Sequence, residues 1–269
     1  METENGLYLY CIRIKSNDAI KVSKTISGEN KLLNLTYQDL EAVTSEVSIN
    51  EFSSEEIKKK AEEDLEWIKG KAQIHEEVIE KTMRSSDSGF IPVIPMQFGV
   101  IFKNKGKLEE VLNQNMESFR KSLEYLSGKQ EWCVKAFIDQ HVFCEYLEKK
   151  NDEILESKKR LESLPKGFAF FEKKKISSAI NEIKEKELNR IIDEIYNSFS
   201  QSGVTCYKAK ILEKDFTLMS EDMILNGFYL IDEEKIPAFK GRVEEFKDKF
   251  KSYGIKIQMT GPWPYYHFA

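Results

Sequence analysis

Histidine is scarce in this chain, with 3 among 269 residues, and cysteine (4) and proline (6) are little commoner. Imidazole is the usual general acid–base group near neutral pH, so hydrolysis and proton transfer have few starting points here. His75 falls on the apolar side of a helical pattern with Ala72 and Ile79, which is the position of a core or boundary histidine. The run His75-Glu76-Glu77 lacks the second histidine of a zincin helix. His141 follows Asp139, and Cys144 close by completes no triad; none of the three histidines has a convincing partner in sequence. Cys11, Cys133, Cys144 and Cys206 form no C-x-x-C pair, so they are expected to be reduced, small hydrophobes and not a zinc or redox site.

Other absences narrow the field further. Neither G-x-G-x-x-G nor a P-loop occurs, and Lys103-Asn104-Lys105-Gly106-Lys107 is more simply a turn before a helix. No apolar run approaches the roughly 18 residues that span a bilayer, so no membrane partner is expected. The amino terminus is acidic, without the basic and apolar regions of a secretory signal, and a cytoplasmic location is the expectation. There is no surplus of positive charge: 41 Lys and Arg stand against 46 Asp and Glu, a net −5 that disfavours nucleic acid as a partner. Residues 166–173 match the first five positions of the RRM strand motif, but Phe171 and Lys173 then break it, and the segment precedes a helix.

Hydrophobic residues (41%) and charged residues (32%) are both plentiful, and 269 residues at roughly 150 per domain suggest two modest domains. The pattern predicts α+β architecture, with domains at 1–127 and 128–269. Strands are expected at 7–14, 32–37 and 40–47. One amphipathic helix is expected from Ser53 or Ser54 to about Met83, then extended chain over 90–102 broken by Pro92 and Pro95, then a helix over 107–126. After Gly128 come a strand (132–138), a charged helix (142–164), a break at 165–167 and a long helix (176–199). Strands at 204–212 and 223–231, a helix at 237–253 and a strand at 254–259 complete the chain. Taking the helical hairpin as one connection, the order is β-α-β-β-α-β, a modified ferredoxin-like unit. The end, Thr260-Gly261-Pro262-Trp263-Pro264-Tyr265-Tyr266-His267-Phe268-Ala269, should run extended between its prolines and dock through aromatic side chains.

Three blocks resemble the gas vesicle proteins of the GvpF/GvpL family: His75–Val78 with Val93–Phe102, Gly128–Lys135, and Thr260–Phe268. Gln97 stands where the family usually has Arg, and Tyr265 where it has a further proline. The resemblance implies two α+β domains and a non-enzymatic accessory or minor structural protein of gas vesicles. Such a protein would bind the hydrophobic gas vesicle shell protein, support vesicle assembly and associate with the vesicle, without cofactor or metal. The anchors expected for that partner are Phe98, Trp263, Pro264, Tyr266 and Phe268. A rival reading is a scaffold whose charged hairpin recruits other gas vesicle accessory proteins without touching the shell subunit.

Overall fold

The computed structural model describes residues 5–29, 31–85, 89–163, 169–200, 205–217 and 219–269. It is α+β, and it divides into two compact units: Met1–Glu131 together with Pro262–Ala269, and Trp132–Gly261. The division after residue 131 lies four residues beyond the boundary read from Ser127-Gly128, and the last eight residues belong to the first unit.

In the first unit, strand β1 (Asn5–Ile14) is central. It pairs antiparallel with β3 (Leu40–Ser48), which pairs with β2 (Leu33–Tyr37). A near-continuous apolar run is the mark of a strand covered on both faces. The register with β3 shifts between Leu9 and Cys11, a bulge that lets Leu9 and Ile12 share one face while Tyr8 and Tyr10 occupy the other. Arg13 and Glu41 are cross-strand partners, and Arg13 Nε donates to Glu41 Oε2 at 2.6 Å with both side chains buried. Paired in this way neither charge stands alone in the interior.

Helices α1 (Ser54–Glu63) and α2 (Leu65–Met83) replace the single helix expected there. Asp64 breaks it: its N–H reaches the Lys60 carbonyl, ending α1, and its side chain accepts the Trp67 N–H, starting α2. Side-chain oxygens of this type compete with the helical backbone, and periodicity alone does not register them. Two-residue strands β4 (Arg84–Ser85) and β5 (Gly89–Phe90) pair, then β6 (Val93–Pro95) and β7 (Ile101–Phe102) add short segments along β1. The two prolines confine these to three and two residues, as expected for a broken extended segment. Helix α3 (Lys105–Leu126), capped by Asn104, packs Leu108, Leu112 and Leu123 against Leu9, Ile12 and Ile94, so α2 and α3 cover opposite faces of the sheet.

The second unit has a sheet of β8 (Lys129–Ile138), β9 (Thr205–Lys208), β10 (Asp222–Asp232) and β11 (Ile255–Trp263), in the order β11-β8-β10-β9. Between β8 and β9 lie α4 (Gln140–Lys150), α5 (Asp152–Glu162) and α6 (Ala169–Ser200); a short α7 (Lys214–Thr217) follows β9, and α8 (Ile236–Lys251) joins β10 to β11. The charged helix expected at 142–164 is thus two helices, because Asn151 caps α5 through its side chain while its N–H ends α4. The break read at 165–167 lies outside the described residues. β9 stops at Lys208, four residues before the expected end at Leu212, and α7 begins two residues beyond that end. The core joins Val134, Ile138 and Tyr229 of the sheet to Phe143, Ile191, Ile195 and Phe199 of the hairpin and to Phe239 and Phe250 of α8.

Candidate partner-binding site

Two of the three recognised blocks meet in one hydrogen-bonded cluster on α2. His75 is buried; its Nε2–H donates to the Met96 carbonyl at 3.0 Å, which leaves Nδ1 to accept the Tyr8 hydroxyl at 2.9 Å. The same Tyr8 oxygen accepts the Gly99 N–H at 3.1 Å. Burial holds the His75 imidazole down at about 4, against an ordinary 6.5, and pushes the Tyr8 phenol up. Phe98 lies edge-on to this pair, its ring centroid 6.0 Å from His75 and 6.3 Å from Tyr8, and it is half-buried. Gly99 supplies a φ of +91°, the left-handed conformation that lets the chain turn back so that Val100 can accept the Leu9 N–H. The Val93–Phe102 block is therefore a strap tied to a buried histidine.

The carboxyl terminus is fastened one residue further along α2. Strand β11 runs through Trp263, and Pro264 is buried. The chain does not continue extended as expected: it turns, with the N–H groups of Phe268 and Ala269 both reaching the Tyr265 carbonyl. Prolines lack a donor, but residues 265–269 are not prolines, so this carbonyl can be satisfied locally. Tyr265 is buried and its hydroxyl donates to the Lys129 carbonyl at 2.8 Å. The Tyr266 hydroxyl donates to Glu76 Oε2 at 2.9 Å. His267 gives Glu131 two donors, Nδ1–H at 2.7 Å and the backbone N–H at 3.3 Å. The Glu131 side chain is 1% exposed. Burial pushes its carboxyl up, and the contacts from His267 pull it back. Glu76 is likewise raised by burial and lowered by the Tyr266 hydroxyl, and the carboxylate beside Tyr266 adds to the desolvation that raises its phenol.

Consecutive residues His75 and Glu76 thus hold the strap that carries Phe98 and the tail that carries Tyr266. Of the five expected anchors, Trp263 (37%) and Tyr266 (41%) present surface, Phe98 and Phe268 are half-buried, and Pro264 is buried. Tyr8, Glu76, Glu131 and Tyr265 carry the arrangement and were not among the anchors expected from the sequence. Glu131 had a signal, a carboxylate leading into the apolar strand Trp132-Cys133-Val134. The expectation that no histidine has a partner is corrected: His75 has Tyr8 and Met96, His267 has Glu131, and His141 lies 3.5 Å from Glu145 one turn on. Tyr8 lies 67 residues from His75 and Glu131 lies 136 residues from His267 in sequence, beyond the reach of any local pattern.

Among the described residues no group of three His, Cys, Asp or Glu side chains is placed to hold a metal ion, and no helix is long and apolar enough to cross a membrane. What the arrangement offers is two aromatic residues with exposed surface, Trp263 and Tyr266, the latter tied to Glu76 by its hydroxyl.

The family described as gas vesicle synthesis protein GvpL/GvpF matches residues 6–269. The chain is 23% identical to gas vesicle protein L1 of Halobacterium salinarum over 98% of its length and 90% of the relative's. It is 24% identical to gas vesicle protein F1 of the same organism, covering 99% and 93%. Its fold is similar to the crystal structure of the gas vesicle protein GvpF from Anabaena sp. PCC7120, with a TM-score of 0.74 at 20% identity and 98% of both chains covered. The chain belongs to the GvpL/GvpF family of gas vesicle proteins.

Proposed function

We propose that this protein is a non-enzymatic accessory or minor structural component of gas vesicles that binds the hydrophobic shell protein and supports assembly from the cytoplasm. Family membership supports the vesicle context. The observation that carries the binding role is the exposure of Trp263 and Tyr266 on a tail whose neighbours Pro264 and Tyr265 are buried. Rings held this way lose little conformational freedom when a partner covers them, which favours affinity. An apolar subunit with exposed surface needs such a cover until it is built into a wall. We read the second unit as a modified ferredoxin-like domain. Its sheet order, fourth strand, first, third, second, is the support for that reading.

The test is co-expression with the shell protein, comparing the wild type with Trp263→Ala and with the double variant Trp263→Ala/Tyr266→Ala. Soluble shell protein should co-purify with the wild type and fall by about tenfold with the double variant, the loss expected of two central aromatic anchors. Unfolding midpoints of the variants show whether each still folds. No co-purification with the wild type, or undiminished recovery with a folded double variant, refutes the arm as the binding surface. A second reading has its own observation: Phe171 is 78% exposed at the start of α6, which favours a hairpin that recruits another protein.

A further inference from the structure

The sheet of the second unit has two edge strands, and only one of them is blunted. Strand β9 is four residues long and ends on Lys208, with Lys210 two residues on, the short and charged kind of edge that resists further pairing. Strand β11 is nine residues long, stands last in the order β11-β8-β10-β9, and has no second strand beside it among the described residues. β8 ends at Ile138 where β11 begins, and the Asp139 N–H donates to the Gly254 carbonyl at 2.9 Å, so the two strands run antiparallel. In such a ladder alternate residues turn both backbone groups to the same side. With Gly254 turned to β8, Ile255, Ile257 and Met259 turn theirs to the open side. Neither proline nor glycine interrupts residues 255–259, and the one lysine among them, Lys256, is held by Glu221. Helix α8 and this edge bound a shallow groove of about 440 Å³. The α8 side of the groove is Glu244, Lys247, Asp248 and Lys251, at the i, i+3, i+4 and i+7 positions of one helical face. Their charges read acid, base, acid, base. Lys247 pairs with Glu244 at 2.7 Å, while Asp248 and Lys251 are exposed and make no ion pair among the described residues.

We propose that two copies of this chain pair edge to edge through β11, forming one continuous antiparallel sheet with the two α8 helices side by side. Pairing of this kind goes beyond the function proposed above and does not depend on the terminal arm. The open backbone groups select an extended strand as the occupant, and the order of charges selects a second copy. A two-fold axis reverses one α8 against the other, so Glu244 of each copy meets Lys251 of the other, and Lys247 meets Asp248, always opposite signs. Strand and helix agree on where that axis passes. From Ile255 to Ile257 is about 7 Å of strand, which matches about four to five residues of helix. Counted back from Lys251, that distance reaches Lys247, so an axis through Ile257 passes beside Lys247 and Asp248, the middle of the four. The same axis sets Ile255 opposite Met259 and Lys256 opposite Gln258, with no like charges facing. A partner strand of one sign would be repelled by half of the α8 face, and a bilayer would meet four charged side chains.

The test is analytical sedimentation of the full-length protein over a concentration series, with circular dichroism to show that each variant folds. The wild type should pass from one chain mass to two as concentration rises, and salt should weaken the dimer by shortening the range of the charges. Lys247→Glu/Lys251→Glu makes the α8 face wholly acidic, and Glu244→Lys/Asp248→Lys makes it wholly basic. Each alone should dimerise about a hundredfold more weakly, because every attractive contact across the axis becomes repulsive. Mixed one to one, the two variants should recover the dimer, since acid again faces base, a result that damage to the fold does not produce. Met259→Pro removes an N–H on the open side and leaves the β8 ladder its donors, and it should weaken the dimer by about tenfold. Trp263→Ala/Tyr266→Ala should dimerise as the wild type does, which separates this test from that of the arm. The proposal is overturned by a wild type still monomeric at about 100 µM, well above the micromolar range of a weak specific pair, by a dimer that either charge variant or Met259→Pro leaves intact, by a mixture that stays monomeric, or by equal loss in the arm variant. A monomer whose amides at 255–259 are protected from hydrogen exchange only when the shell protein is added would assign the edge to a strand of another protein, and would overturn it as well.

Discussion

Acid should loosen the first unit through His75, and the size of the effect follows from its surroundings. The imidazole is 3% exposed, donates to the Met96 carbonyl and accepts the Tyr8 hydroxyl, so only its neutral form fits both partners. Burial holds it at about 4, against 6.5 for the free side chain. The folded-state value is the lower one, so this contribution to stability is fully present above about 6.5 and is lost as pH falls, because the unfolded chain takes up the proton first. A depression of that size corresponds to about 3 kcal/mol, complete once the pH reaches the folded-state value. Glu76 and Glu131 act in the opposite direction, since burial raises both carboxyls and the folded state protonates before the unfolded chain does. The His75 contribution is therefore isolated by comparison with His75→Gln, whose urea-unfolding free energy should fall less steeply with acid than that of the wild type. Proton resonances of the His75 imidazole provide a direct check, since they should stay unchanged through its ordinary titration range. A His75 that titrates near its ordinary value, or a His75→Gln protein with the same pH slope as the wild type, would refute the reasoning.

The tail and the strap yield further expectations. His267→Ala removes the stronger of two donors from a carboxylate that is 1% exposed, and should cost about 2–3 kcal/mol, since the backbone N–H remains to share the charge. Glu131→Gln keeps an oxygen acceptor and should cost about 1 kcal/mol; urea unfolding that ranks the two variants the other way would contradict the buried-carboxylate account. Gly99→Ala forces a side chain into a φ of +91° with Ile57 Cδ1 only 3.0 Å from the new carbon. It should lower stability by about 1–2 kcal/mol, and hydrogen exchange of the Gly99 amide, normally held by Tyr8, should quicken.

The recognition of the family needed only local blocks, and these are the residues that the structure uses most. His75–Val78 and Val93–Phe102 are tied together by Tyr8 and His75, and the terminal block is tied to the same helix by Glu76. Element types were legible because apolar periodicity is local: α3, α8 and β10 lie close to where their patterns put them, while α6 begins seven residues before its expected start at Ile176. The helix breaks at Asp64 and Asn151 were missed because a capping side chain interrupts a helix without disturbing the spacing of its apolar residues. Phe98 reads as a surface aromatic in sequence and packs edge-on to His75 in the structure.

Composition and pattern by themselves pointed to an α+β protein with few histidines and an aromatic terminus. They did so because burial periods and the supply of imidazole are properties of neighbouring residues or of the whole count. Only the tertiary structure decided which aromatics face solvent, that the last eight residues return to the first unit, and that Glu131 waits for His267 from 136 positions away. Those outcomes depend on desolvation and hydrogen-bond satisfaction between groups that the chain brings together only by folding.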